Sequence, residues 1–219
     1  MQTDIFLSVG RTYNSNQEDF VCAIEDLLRA NGMTPRTVGR NDFTSRQPLE
    51  LIAEMMDRCK GTVVIAFERI RADHAIEFRG TTKEQSISDL ALPTIWNQIE
   101  ASMAYIKGHP LLVIVEDGLK TEGLLEGRYD WYVQRVDLDV DVLNGAEFKG
   151  IFSDWKRRVS EFEARGSEKQ RIAPEQLTLG QLVRTIRLPQ LWATIAALLV
   201  IAGIVATVAF NLGQAVAKH

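Results

Sequence analysis

The stretch "PTIWNQIEASMAYIKGHPLLVIVE", Pro93 to Glu116, decides the fold. Its first half sets apolar residues at helical spacing, Ile95, Ile99, Met103 and Ile106, a stripe expected to pack on a sheet. Its second half, "PLLVIVE", is a continuous apolar run that reads as a buried strand. A helix running straight into such a strand is part of a βαβ unit. Glu100 falls one turn into the helix, four residues after Trp96, so the two share one flank of it.

Upstream, "DIFLSV" (Asp4 to Val9) reads as a first strand and "GTVVIAF" (Gly61 to Phe67) as a central parallel strand buried on both faces. Between them, Ser15 to Glu18 form a capping-box pattern, with Ser15 expected to take an orphan amide. Phe20, Val21, Ile24, Leu27 and Leu28 follow at helical spacing, and Gly32 stops that helix. "MTPRTV" reads as an edge strand, because Pro35 has no amide to donate to a ladder. Pro48 opens a second helix carrying Leu51, Ile52, Met55 and Met56. The polar stretch Glu68 to Leu92 has no clear periodicity and reads as a long functional loop such as a lid.

Downstream, Tyr129 to Val140 reads as a turn and a fifth strand. Phe148, Ile151, Phe152, Trp155, Val159 and Phe162 line one face of a last helix. Strands alternating with helices imply a parallel sheet with right-handed crossovers. Residues 1–165 are therefore expected to form an α/β domain with a flavodoxin-like parallel sheet flanked by helices.

A chain of 219 residues with 46% hydrophobic and 25% charged residues is globular in composition. Its net charge of −4 gives no basic footprint for nucleic acid. Cys22 and Cys59 lack metal-ligand spacing and read as buried free thiols, and His74, His109 and His219 are too scattered for a zinc site. Residues 166–189 turn polar and suit a linker. "LWATIAALLVIAGIVATVAF", Leu191 to Phe210, carries no charge over about twenty residues, the length that spans a bilayer. A single C-terminal transmembrane helix is expected over 190–212, followed by a short tail, 213–219. Arg184 and Arg187 outweigh Lys218, which places the N-terminal domain in the cytoplasm.

In open α/β sheets ligands bind outside the carboxyl ends of the strands, at the switch point. The loops Ser8–Asn14, Gly39–Phe43, Phe67–Asn97 and Glu116–Thr121 should therefore surround the site. In the first, Ser8, Gly10 and Arg11 precede a helix N-terminus, where amides and a guanidinium favour phosphate. Arg40 in the second loop has the same status, and Phe67 and Asn97 bound the third. Trp96 beside Glu100 suits a nucleobase and ribose, the ring stacking on the base and the acid accepting sugar hydroxyls. The same acid could act as a nucleophile or stabilise an oxocarbenium-like centre at an anomeric carbon. The alternative is a buried-edge tryptophan with an exposed acid near a helix N-terminus, where negative charge is favourable anyway.

The order "DIFLSVGR…EDF…AIEDLLRANG", "GTVVIAFER", "WNQIEASMAYIKGHPLLVIVE" resembles the TIR-like and nucleoside 2-deoxyribosyltransferase-like group of α/β domains over roughly residues 4 to 160. That resemblance implies a catalytic or ligand-binding glutamate before the fourth main strand, followed by small residues and a Gly-x-Pro turn. Glu100, Ala101, Ala104 and Gly108 to Pro110 match that arrangement. The glycine usual after the transferase glutamate is absent, and "AFER" lacks the acidic pattern those enzymes carry after the third strand. Joined to a membrane span, such a domain resembles bacterial antiviral effectors in architecture.

Three functions follow as expectations. The first is a membrane-anchored sensor of a nucleotide-like small molecule, acting through homo-oligomerisation of its helix in the lipid bilayer. The second is an N-glycosidase or ribosyltransferase acting on NAD or a nucleoside, with Glu100 central. The third is a membrane-tethered protein-interaction module. No cofactor is implied beyond NAD or another nucleotide as ligand or substrate, and no nucleic acid.

Overall fold

The computed structural model describes residues 2–40, 42, 48–127 and 131–171. Met1–Gly166 make one compact unit, and Ser167–His219 a second, described only through the helix end at Arg171. The first unit holds a five-stranded sheet built from β1 (Thr3–Val9), β2 (Met33–Arg36), β3 (Thr62–Ala66), β6 (Leu111–Glu116) and β7 (Val133–Val136). Every pairing in it is parallel, in the order β2-β1-β3-β6-β7. This is an α/β fold with a parallel five-stranded sheet flanked by helices. Counted along the main sheet the order is 2-1-3-4-5, whose reversal lies between β1 and β3.

Alternation along the strands sends side chains to opposite faces. Ile5 and Leu7 of β1, with Val63 and Ile65 of β3, join Phe20, Val21, Ile24 and Leu28 of α1 (Ser15–Ala30) and the aromatic face of α4 (Ala146–Arg171). Phe6, Val64, Ala66, Val113 and Val115 face α2 (Pro48–Arg58) and α3 (Ile95–Ile106) instead. Ser8 lies two residues beyond Phe6, so it too turns toward α3. On the other face α4 packs closely against Gly61, where an added Cβ would stand 2.7 Å from Val159 Cγ2. Trp155 Nε1 donates to the Pro110 carbonyl at 3.0 Å and closes that side.

Four expectations change. The cap of α1 is Asn14, whose side chain accepts from the Gln17 amide at 2.8 Å; Ser15 is already helical. Glu68 to Leu92 is no irregular loop but an antiparallel hairpin, β4 (Ile70–Glu77) with β5 (Gln85–Leu92). Its base is anchored: Arg69 N donates to the Leu92 carbonyl at 2.8 Å, Lys120 N to Ala91 at 2.9 Å, and Glu68 N to the Glu116 carboxylate at 2.6 Å. The last helix runs on past Gly166 to Arg171.

The fourth change concerns α3. Its sheet-facing stripe is Asn97, Glu100, Ala101 and Ala104, while Ile95 and Ile106 are 72% and 83% exposed. Two alanines allow the helix backbone to lie near the sheet, where a row of isoleucines would hold it off. The polar pair at the N-terminal half continues the same face over the end of β1.

The apolar run Leu191–Phe210 lies outside the described residues. Among the described residues no helix is long and apolar enough to cross a membrane.

Candidate functional site

The chain leaves β1 through Gly10, Arg11 and Tyr13 and leaves β3 through Arg69, and these two exits form the floor of a cleft of about 440 Å³. Trp96, Glu100 and Thr94 of the α3 end and Val38, Pro48 and Ile52 on the α2 side complete its described wall. It sits at the reversal of strand order, where the fold rule puts a ligand.

Local bonds hold this geometry. The Gln17 side chain accepts from Tyr13 N at 3.0 Å and donates to the Glu68 carbonyl at 3.3 Å, tying the first exit to the second. The Arg69 guanidinium then lies 4.3 Å from the centre of the Tyr13 ring, a cation–π contact on the cleft wall. Thr94 caps α3 by accepting from Trp96 N at 3.4 Å, and its methyl packs beside Gly10.

Glu100 is no helix-surface acid. It is 9% exposed and lines the cleft. Burial, opposed in part by the nearby Ser8 hydroxyl, pushes its carboxyl up to about 7. Such a group exchanges a proton near neutral pH, which an exposed carboxylate does not. Trp96, 41% exposed, lines the same cleft.

The other expected contacts divide. Gly10 and Arg11 line the cleft with Trp96 and Glu100, and among the described residues Arg11 forms no ion pair. Ser8 and Asn97 are sealed beneath it, 0% and 1% exposed. Phe67 belongs to the core under α1 and does not reach the cleft wall. Arg40 lines an adjoining cleft of about 400 Å³ that shares Val9, Gly10, Arg11 and Val38 with the first. Its guanidinium is held there by Glu18, at 2.6 and 3.0 Å, and by Glu25, at 2.8 Å. Arg40 in turn holds the Glu18 carboxyl down to about 2.

Tyr13, Arg69 and Thr94 were missed from sequence, since only the fold brings positions 13, 69 and 94 together. A second cleft of about 790 Å³ lies between α3 and the hairpin base, with Ile70, Leu90, Leu92 and Ile95 among its walls. It shares Arg69, Thr94 and Trp96 with the Glu100 cleft. No group of His, Cys, Asp or Glu among the described residues could hold a metal ion.

No family model and no curated protein matches the sequence. Among solved structures the chain is similar to a Clostridium botulinum CMP N-glycosidase, BcmB, at 14% identity and a TM-score of 0.36, over 62% of this chain and 88% of that one.

Proposed function

We propose that the domain binds a nucleoside or nucleotide over Glu100 and cleaves or transfers its N-glycosidic bond. What carries the reading is the buried carboxyl of Glu100, poised near neutrality in a cleft that Trp96 also lines. Trp96 stacks on the base, and Arg11 meets a phosphate if the ligand carries one. As carboxylate, Glu100 attacks the anomeric carbon; a C–O bond forms while the C–N bond breaks, and the bonding pair departs on the base nitrogen. Water or an acceptor hydroxyl then attacks the same carbon, the ester C–O bond breaks, and the attacking group's proton passes to solvent.

The described wall of the cleft carries no second carboxyl to protonate the leaving base. That favours an N-glycoside whose heterocycle is already cationic and leaves neutral, as the nicotinamide of NAD does. The test is chromatographic detection of free base after incubation with NAD and with nucleosides. Wild-type protein should release it, and Glu100→Gln should lose the reaction by orders of magnitude while still binding. A ligand retained by the wild type with no base released under any condition would leave a sensor and overturn the enzyme.

The reading extends to the C-terminus. Leu191–Phe210 is proposed as a single membrane span that keeps the domain at the cytoplasmic face. Ala196, Ala197, Ala202, Gly203 and Ala206 allow close helix approach, so that ligand capture is read out through oligomerisation. An antiviral effector is one setting for such a device.

A further inference from the structure

The cleft between α3 and the base of the hairpin is walled by apolar side chains that lie outside both hydrophobic cores. Ile70 of β4 pairs directly with Leu92 of β5, and Leu90 lies two residues before Leu92, so strand alternation puts all three on one face of the ribbon. Ile95, at the start of α3 and 72% exposed, lines the same cleft. None of the four joins either core. Apolar residues scattered singly over a surface need no explanation, but four that converge on one cavity of about 790 Å³ do.

The polar groups of this cleft are already engaged. Lys120 is paired with Glu77, and Arg135 donates to Thr121 Oγ1 at 2.7 Å. The Gln98 side chain donates to the Glu122 carbonyl and accepts from Leu124 N at 3.2 Å. Arg69 lies over the Tyr13 ring, which lines the Glu100 cleft and not this one. The exposed Glu122 carboxylate opposes an anion. A phosphate or a second sugar would therefore find few free partners here, whereas a hydrocarbon group would find an unfilled apolar wall. The two clefts share Arg69, Thr94 and Trp96, so a base resting on Trp96 lies where they meet.

We infer that the second cleft takes an apolar arm carried on the base of the ligand. The substrate class is then a base-modified nucleoside or nucleotide, its sugar over Glu100, its base on Trp96 and a hydrocarbon or aryl substituent between Ile70, Leu92 and Ile95. That assignment rests on the proposed site at Glu100 for the sugar and on the second cleft alone for the arm. Burying an arm the size of a benzyl group strengthens binding about tenfold to a hundredfold.

Isothermal titration of the full chain tests this with adenosine and cytidine 5′-monophosphates, each with and without a benzyl group on its exocyclic amine. For whichever base the site accepts, the benzylated compound should bind about tenfold to a hundredfold tighter. Ile95 is the first residue of α3, where an acid suits the helix, so Ile95→Asp should fold. It should erase the gain and leave the parent nucleotide's affinity unchanged, while Ile95→Val should keep most of the gain. Equal affinities for parent and benzylated compounds, or a gain that survives Ile95→Asp, would overturn the arm. Decanoate bound in the cleft with no gain from the benzyl group would mark an acyl site and overturn it too. So would a dimer, seen by light scattering, that Ile95→Asp dissociates, because a second copy would then cover the cleft. Parent binding without a gain sinks this inference alone; no binding of any of the four compounds sinks it together with the reading of Glu100.

Discussion

His109 Nδ1 lies 3.0 Å from Thr62 Oγ1, both buried, at the end of the sheet opposite Glu100. Burial first, then the nearby Lys107 and Lys60, hold the imidazole down to about 4, against an ordinary 6.5. The unfolded chain therefore binds that proton first, and stability is lost as pH falls from about 6.5 toward 4. Glu100 works in the opposite sense. Its folded value of about 7 exceeds the ordinary 4.5, so its contribution is present below about 4.5 and lost as pH rises through 7. Across the shared window the two slopes oppose. Denaturant midpoints should therefore stay nearly level in the wild type from about pH 4.5 to 6.5, rise with pH in Glu100→Gln and fall with pH in His109→Gln. Each full swing is worth roughly 3 kcal/mol. Parallel curves for the three proteins would contradict both assignments.

At pH 8 the same linkage makes Glu100→Gln more stable than the wild type, by up to about 3 kcal/mol, even as it removes the reaction. Thermal unfolding and base release measured on one preparation check both halves. A variant both inactive and destabilised would mean that Glu100 serves the fold.

Trp96 is 41% exposed, so Trp96→Ala should leave the melting temperature almost unchanged. Loss of base stacking should weaken nucleotide binding by about 1–3 kcal/mol, roughly tenfold to a hundredfold. Isothermal titration reads the second figure and calorimetric melting the first.

The two arginines of the β1 and β2 exits should separate cleanly. Arg11 lines the cleft without an ion pair among the described residues, so Arg11→Ala should cost affinity for a phosphorylated ligand and spare stability. Arg40 balances the half-exposed Glu18 and the buried Glu25, and Arg40→Ala should lower stability by about 1 kcal/mol at neutral pH, as the buried Glu25 keeps only Arg29 of its two partners. Urea titration beside binding isotherms for a nucleoside and its monophosphate distinguishes them.

Removing Leu188 to His219 should release the chain from the membrane fraction and leave a folded, soluble domain. Cell fractionation and circular dichroism of the truncated protein test this. A full chain that stays in the soluble fraction without detergent would rule out the span.

The alternating order of strands and helices was legible because buried parallel strands are apolar throughout and helices α1, α2 and α4 carry wide apolar stripes. The face of α3 was not, because hydrophobic spacing weighs Ile95 and Ile106 above Ala101 and Ala104, while close packing selects the smaller pair. The hairpin was hidden for a related reason: both its faces meet water, so Ile70 to Glu77 lack the alternation of a half-buried strand. Glu100 was found by its place after Trp96, but its burial depends on the rotation of α3. Tyr13 and Arg69 carry no local signal, since they meet only where β1 and β3 end side by side.

The hairpin begins and ends at the same place, with Arg69 and Leu92 joined through one backbone bond at 2.8 Å. An excursion whose two feet stand together and are anchored can be shortened or lengthened at its outer turn, around Phe78–Glu84, without moving the strand before it or the helix after it. The segment between β3 and α3 is thus the natural graft point of this scaffold. A foreign ribbon or reporter domain inserted at that outer turn would extend the ribbon without entering the Glu100 cleft, which the hairpin strands do not line.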